Sequence, residues 1–101
     1  MNSYRRIASV KTACEILEFL SEQDGPVPVL EISKTLEIPQ GTVMCHLITL
    51  EDVGFVERNN DTYKLGYKLG LFWAQTMNKL QAKKRNIERQ IEMLETGVSN
   101  E

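Results

Sequence analysis

The side chains that first suggest catalysis or metal binding are the thiols of Cys14 and Cys45 and the lone imidazole, His46. A structural zinc needs four tetrahedral ligands at recognisable spacing, and the thiols stand 31 positions apart with only His46 beside one of them, so no metal is expected. No base stands at a spacing that would activate a nucleophile, and no glycine-rich loop is present to cradle a phosphate. The residues therefore read as those of a non-enzyme with no cofactor. Two cysteines outside any disulfide-rich pattern read as reduced thiols. Cys14 is expected in the core. Cys45 is expected to be an inert small residue, with a redox-sensitive thiol as the alternative, and His46 a partly buried packing residue.

The stronger chemical signal is charge. The 101 residues sum to a net charge of -2, but from Lys11 to Gly54 two bases face eight acids, while from Phe55 to Arg89 eight bases face three acids. No Lys or Arg occurs between Lys34 and Arg58, and Arg5 and Arg6 make a small basic arm near the start. A positive field confined to part of a chain is an electrostatic footprint whatever the overall sum. No run approaches the roughly 18 apolar residues that span a bilayer. The segment from Met1 to Arg6 lacks the apolar core of a signal peptide, so a cytoplasmic protein with no membrane partner is expected.

Helical spacing of Val10, Ala13, Cys14, Leu17 and Leu20, with Ile16 and Phe19 beside them, predicts a first helix capped by Ser9. Asp24-Gly25-Pro26 marks a turn, and the step Val27-Pro28-Val29 is extended because a residue before proline is driven out of the helical region. A short second helix follows to Leu36. A third runs from Pro39 or Gln40 to about Val53, stopped by Gly54. It turns Val43, Leu47 and Leu50 inward and Gly41, Cys45, Ile48 and Asp52 outward. Two β-prone runs, 55–58 and 62–65, with Asn59-Asn60-Asp61 between them, predict a hairpin. Helix, turn, helix and basic hairpin is the order of a winged helix-turn-helix, in which the second helix of the pair enters the DNA major groove.

From Tyr67 to about Thr96 no proline interrupts the chain; Trp73, Leu80, Ile87 and Leu94 recur every seven residues, and Met77, Lys84 and Ile91 fill the complementary positions. That is a heptad seam with one lysine in it, which predicts a coiled-coil homodimer. The alternative is a helix packed on its own domain at Leu69, Phe72 and Trp73 and solvated thereafter. The expected organisation is a basic arm (1–8), a winged helix-turn-helix (9–66), a long dimerising helix (67–96) and a frayed tail (97–101): a mainly α fold with a small β-hairpin.

The runs Ser9 to Leu17, Glu31-Ile-Ser-Lys34, Ile38 to Val43, Leu47 to Glu51, Gly54-Phe-Val-Glu-Arg58 and Tyr63-Lys-Leu-Gly66 resemble, in order and nearly without gaps, the DNA-binding domain of IclR-type transcription regulators. The resemblance implies a prokaryotic regulator that binds a palindromic operator in double-stranded DNA as a dimer. Family members carry a large C-terminal effector domain with no counterpart in these residues, so the long helix is expected to take over dimerisation. Where the family offers Lys, Ser, His or Arg at the start of the reading helix, this chain has Gln40, Gly41, Met44 and Cys45, and Glu37 stands where glycine is common.

An uncharged reading helix leaves phosphate neutralisation to its surroundings. The candidates are Arg5, Arg6, Lys11, Lys34, Arg58, Asn60, Lys64 and Lys68. Gln40 pairs in principle with adenine, Thr42 with a phosphate or base edge, and Met44 with a thymine methyl; Gly41 and Cys45 complete the face. Expected, then, is a dimeric sequence-specific regulator repressing by occlusion. The alternative is an adaptor or antagonist that uses the same scaffold to bind a protein partner.

Overall fold

Proline precedes the second and third helices, and glycine follows the third. A computed structural model describes residues 3–97, with the elements α1 (Ala8–Ser21), β1 (Val27–Pro28), α2 (Val29–Leu36), α3 (Gln40–Asp52), β2 (Val56–Asn59), β3 (Thr62–Leu65) and α4 (Lys68–Thr96). They fall into two units, one up to Lys68 and one from Leu69 onward.

In the first unit Pro28 and Pro39 precede α2 and α3 in extended conformation, as residues that cannot donate a backbone hydrogen bond suit a helix entrance. Between these helices Glu37 takes a left-handed φ of 57°, and the Ile38 amide donates back to the Ser33 carbonyl at 3.1 Å. The Ser33 hydroxyl donates to the Ile38 carbonyl at 2.6 Å, so the turn is tied from both sides. The left-handed well costs a non-glycine residue about 1 kcal/mol.

At the end of α3 the Phe55 amide reaches the Leu50 carbonyl (2.9 Å) and the Gly54 amide the Glu51 carbonyl (3.1 Å), with Gly54 at φ 88°; this is a Schellman closure.

The sheet has three antiparallel strands in the order β1-β3-β2. β1 is an addition to the expected hairpin: Val27 pairs with Tyr63 and Pro28 with Thr62. The hairpin itself turns on Asn60, at φ 58°, and Asp61; asparagine tolerates that well better than most residues. Gly66 is required by close approach, because a side chain there would collide with the Gly54 carbonyl.

One core joins the elements: Ile16, Phe19 and Leu20 from α1, Val27, Ile32, then Val43, Leu47 and Leu50 from α3, Val56 and Tyr63. Two expectations for α1 fail. The helix starts at Ala8, not at a Ser9 cap, and no side chain caps it. Cys14 is exposed, not core. The cause is common to Cys14 and Val10: with Ala13 and Leu17 they face an open apolar groove of about 480 Å³ that α1 shares with Cys45, His46, Thr49, Leu50 and Phe55. Only Ile16, Phe19 and Leu20 turn fully inward.

The second unit is the 29-residue α4, about 43 Å long at 1.5 Å per residue, with no buried residue. No helix among the described residues is long and apolar enough to cross a membrane. Of the expected frayed tail, residues 98–101 lie outside the described residues, as do Met1 and Asn2 of the arm.

Candidate nucleic-acid interface

The face of α3 away from the core is uncharged over most of its length. Gln40, Gly41, Thr42, Cys45, Ile48 and Thr49 are exposed, Met44 is half-buried, and Asp52 supplies a carboxylate at the far end. Nothing crowds the face at Gly41, where an added side chain would meet open space. Gln40 and Met44 lie on one margin of this face. Cys45 lies where the face meets the groove shared with α1, and so borders two surfaces at once.

His46 is the structural link on that side. Its Nδ1 lies 2.8 Å from the Thr42 carbonyl and its Nε2 lies 3.2 Å from the Ser9 carbonyl; a neutral ring donates to one of these two acceptors, and the second contact sets the imidazole of α3 beside the first turn of α1. His46 is partly buried, as expected, and in addition it links the middle of α3 to the place where the chain enters α1. A histidine three positions past a buried valine was the visible signal. Its partner, a backbone carbonyl 37 residues earlier, was not visible.

No Lys or Arg lies on α3; the cations of the first unit belong to the elements before and after it. Arg5, Arg6 and Lys11 are exposed and line one open concavity with Ile7, Ala8 and Val10. Lys34 is exposed in the last turn of α2. The Lys68 stem lies over Gly54, near the end of α3.

On the hairpin, Arg58 and Lys64 are both exposed but belong to opposite faces. Arg58 pairs across the strands with Tyr63, on the side of buried Val56, whereas Lys64 pairs with Glu57 on the outer side. Cross-strand partners share a face, so alternation along each strand separates the two cations. Arg58 Nε donates to the Asn60 carbonyl at 2.8 Å, and Lys64 lies 3.4 Å from Glu57 with both side chains about half exposed (51% and 52%). Arg58 thereby stiffens the turn that carries Asn60, and Lys64 reaches outward with an acid beside it.

In α4 the heptad positions Trp73, Leu80, Ile87, Ile91 and Leu94 are exposed and Met77 is half-buried, so the apolar seam is uncovered along the helix. Among the described residues no group of three or more His, Cys, Asp or Glu stands where it could hold a metal ion.

Comparison with known proteins agrees with this geometry. A model of the IclR helix-turn-helix domain matches residues 9–60. The chain is 38% identical over 63 residues to the probable HTH-type transcriptional regulator ArcR of Halobacterium salinarum, covering 61% of this chain and about a quarter (24%) of that protein's length. Among solved structures it resembles an IclR transcriptional regulator from Alicyclobacillus acidocaldarius, with a TM-score of 0.67, 28% identity and coverage of 71% of this chain and 30% of the other. It also resembles the Zalpha domain of PKZ from Carassius auratus, solved in complex with Z-DNA, with a TM-score of 0.54, 27% identity and coverage of 58% of this chain and 98% of the other. With more than half its residues matched in one block, the chain belongs to the IclR helix-turn-helix family of transcription regulators.

Proposed function

We propose that the chain is a homodimeric, sequence-specific DNA-binding regulator that represses by occluding its site. The observation that carries this reading is an exposed, nearly uncharged outer face of α3 in a unit whose exposed cations all stand on other elements, the arm, α1, α2, the hairpin and the start of α4. An uncharged helix discriminates bases without holding phosphates, and the cations on the other elements hold phosphates without reading sequence. In this reading Gln40 and Thr42 make the polar base contacts and Met44 and Cys45 the apolar ones, while Gly41 admits the backbone close to the groove floor. Arg5, Arg6, Lys11, Lys34, Arg58, Asn60, Lys64 and Lys68 serve the sugar-phosphate backbone. Dimerisation falls to Trp73, Met77, Leu80, Ile87, Ile91 and Leu94, and two copies present two α3 helices to successive major grooves about 34 Å apart.

A gel-shift series on duplex DNA across a range of salt tests the reading. Binding is expected to weaken steeply with salt, with a shallower dependence once Arg58→Ala and Lys64→Ala are combined. Gln40→Ala or Thr42→Ala is expected to change the preference among sequences at nearly unchanged salt dependence. A folded dimer that shifts no duplex even at low salt would reject DNA binding and favour the protein-binding adaptor.

A further inference from the structure

We infer that residues 5 and 6 form a minor-groove reader, so that the chain recognises A·T-rich DNA flanking the segment read by α3. The inference rests on the DNA-binding reading above and refines it: Arg5 and Arg6 go past the backbone contact given them there to the minor-groove edge of the bases, a second source of sequence preference.

The root of the arm is fixed beside α3. The Ser9 carbonyl meets His46 at 3.2 Å, and the Ile7 carbonyl accepts the amides of Val10 and Lys11 at 3.1 and 3.3 Å, so the chain is held at the entrance of α1, against the middle of α3. From Ser3 to Ile7 the chain belongs to no helix or strand, and Ile7 is in extended conformation (φ -100°, ψ 108°). Three extended residues from Ala8 back to Arg5 reach about 10 Å. The B-DNA major groove is about 12 Å wide, so a helix lying in it has the sugar-phosphate rim about 6 Å from its axis. An extended arm rooted beside that helix therefore has the length to clear the rim and bring its side chains to the adjacent minor groove.

The chemistry along this path changes in the order such a crossing requires. At the rim, α1 offers a helix N-terminus with no side-chain cap and no acid in its first turn, together with Lys11, all suited to a phosphate. Beyond it come two consecutive arginines, exposed and without an ion pair among the described residues. Arginine is the side chain that narrow, electronegative A·T minor grooves attract, and those grooves lack the guanine 2-amino group that obstructs insertion. Position in the sequence sharpens the point: before Arg58 the only cations are Arg5, Arg6, Lys11 and Lys34, and three of those four stand at this root.

The test begins with duplexes selected from a random library by the full chain. The base pairs flanking the selected core are then set to A·T, G·C or I·C; an I·C pair shows the major-groove edge of G·C but lacks the 2-amino group in the minor groove. The unaltered chain is expected to lose about fivefold or more in affinity on A·T→G·C, the lower range for one unfavourable base pair, and to recover on I·C. Arg5→Ala with Arg6→Ala abolishes this discrimination and leaves the preference within the core unchanged. Arg5→Lys with Arg6→Lys keeps most of the affinity and loses the discrimination. Equal binding to all three flanks, or I·C behaving as G·C, overturns the minor-groove inference while DNA binding stands. Failure to select or shift any duplex overturns both.

Discussion

The unit up to Lys68 buries ten apolar side chains, from Ile16 to Tyr63, whereas α4 buries none although Trp73, Leu80, Ile87, Ile91 and Leu94 lie along one seam. In both places the sequence repeats apolar residues at helical spacing. The difference is in what the rest of the chain supplies: α1, α2, α3 and the sheet converge on a shared centre, while α4 presents an apolar seam to solvent. An apolar stripe records a face that gains from being covered, at roughly 25 cal/mol per Å² removed from water, and is silent about the cover. For α1 the answer divides within one helix. Its Ile16, Phe19 and Leu20 meet the core, and its Val10 and Cys14 look into the open groove.

If the first unit is held by its own core, Leu47→Ala is the most damaging change available. Leu47 is fully buried in the core, and truncation of such a residue costs about 2–5 kcal/mol. Urea titration followed by circular dichroism reads the loss, and a cost under about 1 kcal/mol would show that the centre of the unit tolerates a cavity and is not what holds it.

The contrasting expectation concerns α4. Leu80→Asn combined with Ile87→Asn removes the middle of the seam, so sedimentation is expected to show dimers becoming monomers while the unfolding free energy of the first unit stays within about 0.5 kcal/mol, as surface changes do. Lys84→Leu acts in the opposite sense, since a charged residue at a seam position costs coiled-coil stability, and is expected to tighten the dimer. A double variant that remains dimeric would remove α4 as the dimerising element.

Much of the first unit was legible from residue order alone. The bounds of α2 and α3 followed from Pro28, Pro39 and Gly54, and the hairpin from Asn60-Asp61 between β-prone runs, because these residues restrict their own backbone. β1 was not legible as a strand: two residues carry no periodicity, and their partners Thr62 and Tyr63 lie some 35 positions away. The Ser9 cap failed because a competent capping residue describes a possibility, and the cap falls two residues earlier, at Ile7. In the candidate interface, residue type told which side chains suit DNA but not how they are grouped. Alternation along β2 and β3 was already sufficient to put Arg58 and Lys64 on opposite faces; the tie from His46 to Ser9 needed the tertiary fold.

A smaller effect is expected at the turn between α2 and α3. Glu37 holds a left-handed conformation that glycine adopts freely, so Glu37→Gly is expected to stabilise the first unit by up to about 1 kcal/mol, less the entropy that glycine adds to the unfolded chain. Calorimetric unfolding measures it. Destabilisation would mean that the Glu37 side chain, not the backbone, decides the energetics of this turn.

The smallest change in stability belongs to the outer face of the hairpin, where it separates structural from functional charge. Glu57 and Lys64 face each other across β2 and β3 at 3.4 Å with both side chains about half exposed, and a pair so solvated contributes between nothing and about 1 kcal/mol. Glu57→Gln is therefore expected to leave the unfolding midpoint nearly unchanged. Its effect on DNA affinity is expected to be larger than its effect on folding, because removing the carboxylate leaves the Lys64 charge unopposed within a Debye length of any phosphate that the hairpin approaches. Tighter binding that fades as salt is raised would place the outer face of the hairpin toward DNA. Unchanged affinity, with Arg58→Ala still weakening binding, would assign the contact to the Tyr63 side instead, since the pleat lets only one of the two cations point at a given strand of the duplex.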